Sequence, residues 1–267
     1  MPYRYAHYFC LLLIPAAVIA FSGYLSELPD AGLAKHAHAI AATLWILLLA
    51  GQSASIHSGR RSIHKFLGSA SLLIFPLYIS GFFLVYRSEA RRISASDAYA
   101  EVFGPGIGAI TLVAVVASAY MFYSGLRDRR NVQLHARWML VTVFLFAESV
   151  LGRILNNFIP ALYVNDVTDV RRIYDAFHLS QLFAVLLALV LYFRDREHGA
   201  PFLFVIVALL VQSLSLELFD GFGPWRDMFL TSGDWPIGAF AVIGIALGAV
   251  VAGLGWSAGK HNPRQAR

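Results

Sequence analysis

Residues 35–55 read KHAHAIAATLWILLLAGQSAS. The stretch opens on Lys35, His36 and His38, is mostly apolar to Ala50, and closes on Gln52 and small polar residues. A bilayer hydrocarbon core of about 30 Å is crossed by roughly 20 helical residues, which is the length of this run. Its apolar residues are continuous and show no strand-type alternation, so it predicts a membrane-spanning helix and not a strand of a barrel. Seven further stretches of the same kind lie at about 8–25, 66–86, 106–126, 135–159, 174–193, 201–219 and 235–257. The expected fold is all-α: a polytopic transmembrane helix bundle of about eight spans, one domain over 1–267. The two longest connections, about 87–105 and 160–173, have room for short surface helices.

Composition agrees. The chain is 58% hydrophobic and 14% charged, with mean hydropathy +0.63, against about 25% charged in a soluble domain. The basic excess, 21 Lys and Arg against 16 Asp and Glu, is what helix-flanking cations of a membrane protein produce, so the partner it implies is the lipid bilayer and not nucleic acid. No GxxxxGK[ST] or GxGxxG motif occurs, which argues against nucleotide binding, and neither G-x-S-x-G nor HExxH is present. Cys10 is the single cysteine, so intrachain disulfides and cysteine-based clusters are excluded. The apolar run 9–21 is followed by Ser22-Gly23-Tyr24-Leu25 and no A-x-A site, so the first span is expected to be retained.

Orientation follows from the positive residues. With the N-terminus inside, the inner segments hold Arg4, Arg60, Arg61, Lys65, Arg127, Arg129, Arg130, Arg137, Arg194, Arg196, Lys260, Arg264 and Arg267. The outer segments hold Lys35, Arg87, Arg91, Arg92, Arg171, Arg172 and Arg226. This bias places both termini in the cytoplasm.

The histidines fall in two layers. His36, His38 and His178 sit at the outer ends of the second and sixth spans, and His57, His64 and His135 at inner ends of the second, third and fifth. At about 100° per residue, His38, Trp45 and Gln52 share one helix face. Asp175, His178 and Gln181, three apart, form a similar stripe on the sixth span. Polar stripes of this kind should face the bundle interior. Neutral imidazoles on facing helices can ligate haem iron or a transition metal, and a carboxylate such as Asp175 can serve as ligand or as partner to one. His38 and His57 are about 28 Å apart along a helix, so one site, or two independent sites, is expected rather than a stacked pair.

Glu148 and Arg153 are charged residues inside the fifth span, followed by Asn156 and Asn157. Five residues apart, they point about 140° away from each other, and Arg153 is expected to meet Glu217 or Asp175 instead. Such residues normally face a partner or water. Gly104/Gly108 and Gly244/Gly248 are GxxxG pairs, the latter a candidate contact for a homo-oligomer or a membrane partner.

The segments His38…Gln52, His64-Lys65-Phe66-Leu67-Gly68, His135-Ala136-Arg137-Trp138-Met139 and Arg153 resemble a bacterial family of multi-span membrane proteins without assigned function. Its pattern is a histidine opening a span, a glutamine closing it, H-R-x-L-G, H-x-R-W-M and a late arginine; Lys65 departs from it. The resemblance covers about 35–160, implies a bacterial inner-membrane location, and groups His38, Gln52, His64, His135 and Arg153 as one constellation. A looser likeness to haem-binding membrane cytochromes rests on histidines at helix ends alone. The functional expectation is binding of haem b or a metal ion by His38, His64, His135 and His178, in a redox or assembly role. The alternative is a transporter or structural subunit using a polar network of Gln52, Glu148, Arg153, Asn156 and Asp175.

Overall fold

The structure is a computed structural model that describes residues 2–260; His261, Arg264 and Arg267 of the charge and histidine patterns lie outside the described residues. Its helices are α1 (Ala6–Ala20), α2 (Ser22–Ser26), α3 (Leu33–His57), α4 (Arg61–Ser94), α5 (Ala98–Arg127), α6 (Val132–Phe158), α7 (Arg171–Arg194), α8 (Ala200–Asp220), α9 (Gly223–Gly233) and α10 (Ile237–Ala258). Two 3-10 turns, Pro160–Leu162 and Val167–Asp169, fill the α6–α7 connection. No strand occurs among the described residues.

Seven helices, α3 to α8 and α10, are long and apolar enough to cross a membrane. The apolar α1 is shorter, at 15 residues, yet it runs the length of α6. Near the start of α6 the Arg137 guanidinium lies 5.4 Å from the Tyr3 ring centroid, and near its end Asn157 Nδ2 donates to the Ala20 carbonyl at 3.3 Å. Tyr3 also packs edge-on against Phe202 at the start of α8, while Gly259 is pressed against Leu126 at the end of α5. The described residues therefore begin and end at the same end of the bundle.

The helix ends follow local chemistry. Asp97 caps α5 by accepting from the Ala100 amide at 3.0 Å, and Asn131 caps α6 by accepting from Gln133 and Leu134, each at 3.1 Å. The expected long 87–105 connection is mostly helix: α4 runs 34 residues and α5 starts at Ala98. At 1.5 Å per residue α4 is about 51 Å long, so it overshoots a bilayer core of about 30 Å. Arg92 in its last turn binds Glu89 at 2.7 Å and Asp97 at 2.8 Å. The Asp97 carboxyl is held below the usual carboxylate range, first by the Ala100 amide and then by Arg92.

Four helices organise the interior. The helix α3 packs on α4 and α6, and α5 packs on the same two, whereas no Cα of α4 comes within 8 Å of α6, nor any of α3 within 8 Å of α5. They form a ring with separated diagonals. Outside it, α1 covers α3 and α6, α7 and α8 flank α6 and α5, and α10 covers α4 and α5.

An aromatic plug fills the ring where residues from all four helices meet. Trp45 of α3 stacks on Tyr78 of α4 (5.5 Å between centroids, 14°) and meets Phe75 and Phe122 at 5.4 Å each. Phe75 stacks on Phe122 of α5 at 4.0 Å. The Trp45 indole donates to Thr142 Oγ1 of α6 at 3.1 Å, which satisfies the one polar atom a buried indole carries.

The Gly244/Gly248 pair faces α4 of the same chain. A Cβ on Gly244 would fall 2.4 Å from Ser80 Cα, and one on Gly248 2.5 Å from Pro76 Cα. Backbone atoms cannot yield as side chains do. Gly248→Ala is expected to destabilise by about 1–3 kcal/mol through overpacking. Gly253→Ala, on the same helix with nothing within 4 Å of the added carbon, should be neutral or mildly stabilising because alanine favours helix. Thermal melts of the two variants in one detergent check this; equal melting temperatures would mean α10 is not seated against α4.

The outer faces are apolar. On α7, Leu182, Phe183, Leu186, Leu187 and Val190 are each half exposed on one stripe, suited to lipid contact. The polar residues of α7 lie on the opposite side, where Ser180 and Gln181 are buried.

Candidate functional site

The plug divides the ring into two layers, and each holds histidines.

Away from the chain termini, a cavity of about 60 Å³ lies between α3, α4, α6 and the end of α1; Phe21, His38, Ala42, Tyr78, Phe82, Leu145, Phe146, Ser149 and Val150 line it. His38 reaches it because α4 comes close at Gly81, where a Cβ would sit 3.0 Å from His38 Cα. The imidazole packs edge-on against Phe82 at 5.1 Å, and its Nδ1 is buried with no hydrogen-bond partner. Arg153 stands at the rim, its guanidinium 4.5 Å from the Phe21 centroid and its Nη1 donating to Ser149 Oγ at 3.1 Å.

The expectation that Arg153 meets Glu217 or Asp175 is overturned. Glu217 is taken by Arg171 at 2.8 Å and His178 at 2.7 Å. Asp175 is exposed and lies 3.7 Å from Arg171. Steps of three residues drift by about 60° each on a helix, so Asp175 turns away from the face that carries Gln181. Asn156 is structural: its amide donates to the Leu162 and Arg172 carbonyls and ties down the 3-10 turns. Glu148 is 4% exposed and its Oε2 is buried without a partner.

The second layer lies at the end holding the chain termini. His64 Nδ1 is 3.2 Å from the Gln52 carbonyl and His135 Nδ1 is 2.7 Å from the Gly125 carbonyl. His57 Nδ1 is 2.8 Å from the Ser53 carbonyl. A carbonyl only accepts, so each Nδ1 carries the hydrogen and each neutral ring keeps its lone pair on Nε2. This is the tautomer that ligates metals, with the carbonyl fixing ring orientation. His135 also satisfies a carbonyl in the last turn of α5 that has no helical partner. His64 on α4 and His135 on α6 stand at the same end of the bundle, although α4 and α6 occupy opposite corners of the ring. Gln52 Oε1, Ser53 Oγ, Ser124 Oγ and His57 Nε2 are buried here without hydrogen-bond partners.

His178 belongs to neither layer. It sits between α7 and α8, with Nδ1 2.8 Å from Ser213 Oγ and Nε2 2.7 Å from Glu217 Oε1. Ser213 in turn donates a short bond to Gln181 Oε1. Both ring nitrogens are engaged, which removes His178 from a shared ligand set with His38, His64 or His135. His36 is also apart, 2.7 Å from the Tyr24 hydroxyl. Among the described residues, no group of three or more His, Cys, Asp or Glu is placed to hold a metal ion.

The Arg137 of H-x-R-W-M proves to be an internal tie. Its side chain is 4% exposed, paired with Asp195 after α7, and bonded to Gln133 at 2.6 Å. Desolvation pushes the Asp195 carboxyl up, but bonds from His198 and the charge of Arg137 outweigh it and hold the group below the usual carboxylate range. A depressed carboxylate contributes stability that is full above its ordinary pKa of about 4 and lost as pH falls through the folded value. Asp195→Asn is expected to lower the melting temperature at neutral pH by several degrees, because it strands a buried guanidinium, and to flatten the acid limb of the stability profile. An unchanged acid limb would show that another carboxylate governs it.

Ser149, Tyr78 and Thr142 escape a sequence reading, because single polar residues in apolar runs give no signal of their partners. Ser213 and Glu217, four apart on α8, do carry one: a polar face on an otherwise apolar span.

The fold and its layers define a polytopic helical membrane-type bundle. Comparison of the chain with protein-family models, curated proteins and solved structures gives no match in any of the three.

Proposed function

We propose that this is a multi-pass protein of the bacterial inner membrane that holds haem b, or a transition-metal ion, between His64 and His135, with a redox or cofactor-assembly role. The observation that carries this reading is the pair itself. The two imidazoles come from opposite corners of the ring, are fixed through Nδ1 by main-chain carbonyls, and have Nε2 uncommitted. Two protein ligands suffice for haem, whose porphyrin supplies the equatorial nitrogens, or for linear Cu(I); zinc sites use three or four. The unpartnered buried polar atoms of the same layer support a polar guest, since such atoms are normally satisfied. Bound there, haem would supply one-electron transfer. The chain's own contribution is to orient both rings and raise their basicity through the Nδ1–H bonds. The positive residues support a cytoplasmic location for this layer.

The test is an absorption spectrum of the detergent-purified protein, oxidised and dithionite-reduced, with metal analysis of the same sample after haem-supplemented expression. A Soret band that shifts on reduction, or one metal per chain, supports the reading. A featureless spectrum with no stoichiometric metal rejects it.

A further inference from the structure

Arg153 is a cation in a membrane-length helix with no carboxylate within ion-pair distance among the described residues. Glu148 and Glu89 are the carboxylates whose charge reaches it, and neither is among its ion pairs or hydrogen bonds. Its Nη1 is bonded to Ser149, through Oγ at 3.1 Å and the carbonyl at 3.4 Å; Nε and Nη2 make no bond. An unpaired guanidinium at this depth is costly and is normally matched by an anion or by water.

Ser149, to which it is bonded, and Phe21, on which it stacks, both line the cavity of about 60 Å³. Its walls include the rings of Phe21, Tyr78, Phe82 and Phe146, and its polar atoms come from Ser149 beside Arg153 and His38 on α3. Aromatic edges carry partial positive charge and tolerate an anion. One water-sized probe occupies roughly 10–15 Å³, so the space holds about four heavy atoms, the size of a carboxylate group with one or two carbons attached. The uncommitted Nε–H and Nη2–H of a guanidinium form the fork that binds a planar carboxylate through two parallel bonds. The His38 imidazole forms part of the same wall, its Nδ1 lying against Gly81 of α4.

We propose that this cavity is a carboxylate-binding site, with Arg153 as the bidentate anchor, Ser149 positioning Arg153, and His38 shaping the wall. The shared chemistry is the carboxylate group. It can come from a small free acid or from a fatty acid whose chain lies in the bilayer, since the rim at Arg153 is exposed. The assignment does not depend on a cofactor at His64 and His135.

The experiment is a thermal-stability titration of the full-length protein in a non-ionic detergent at constant ionic strength. Sodium acetate and sodium decanoate are titrated in separate arms against sodium chloride. A saturable rise in melting temperature beyond the chloride control is expected in at least one arm. Acetate alone would identify a small free acid, and decanoate alone a membrane-derived one. In Arg153→Gln the half-saturating concentration should rise at least tenfold. Arg153→Lys, which keeps the charge and loses the fork, should be intermediate. Arg171→Gln, whose guanidinium is committed to Glu217 elsewhere, should titrate as wild type. Melting curves that follow chloride in both arms would overturn the proposal, as would an Arg153→Gln protein with the wild-type midpoint. His38→Phe, which puts a larger ring into the cavity wall, supplies an independent check: an unaltered midpoint there would also count against it.

Discussion

His64→Ala and His135→Ala should each abolish the bound cofactor, taking the Soret absorbance or metal content per chain to baseline. The two losses should be equally complete, because both imidazoles would be needed to hold the group. His38→Ala and His178→Ala should retain the cofactor. His38 lies on the far side of the aromatic plug, and both nitrogens of His178 are engaged by Ser213 and Glu217. His135→Met separates ligand loss from misfolding. Methionine restores an axial ligand and raises the potential, so it should keep a haem with a shifted spectrum. Retention of full absorbance in both alanine variants would remove His64 and His135 from the site, and loss in all four would point to a fold effect.

The second large effect is expected at Trp45, which is 1% exposed and touches three other rings of the plug. Trp45→Ala should cost about 3–5 kcal/mol, the usual penalty for deleting a buried aromatic ring. Thr142→Val keeps the shape and strands the indole N–H, for about 1–3 kcal/mol. The combined variant should cost less than the sum, since the bond can be lost only once. Reversible unfolding in mixed micelles measures all three. A Trp45→Ala protein as stable as wild type would mean the four helices are held by their outer contacts and the plug is incidental.

Much of this architecture could be read from the sequence because lipid and helix geometry constrain it strongly. The stripe of His38, Trp45 and Gln52 keeps one face across four turns, and that face does point into the ring. The all-α fold class follows from apolar length, although seven helices and not eight are long and apolar enough to cross a membrane. Hydropathy failed where it stops reporting helix. Between Arg87 and Asp97 the charged residues mark the end of lipid, whereas α4 continues through them to Ser94. The α9 helix was missed for a related reason: it is short, and its buried residues, Trp225 and Phe229, serve a packing role against Tyr86. At the candidate sites, depth was legible and pairing was not. Arg153, Glu217 and Asp175 do share an end of the bundle, but they open onto different gaps, and Arg171 had already claimed both carboxylates. Likewise the carbonyls that orient His64 and His135 belong to Gln52 and Gly125 by backbone position, which no side-chain pattern reveals.

The stacked rings of Trp45, Phe75, Tyr78 and Phe122 also bear on what can travel along the bundle axis. Centroid spacings of 4.0–5.5 Å among the contacts of Trp45 and between Phe75 and Phe122 leave no thread of water between the two histidine layers. The cross-section occupied by these four rings is apolar apart from the Tyr78 hydroxyl and the Trp45 indole N–H, which Thr142 already satisfies, so it is a barrier to hydrated ions between the two layers.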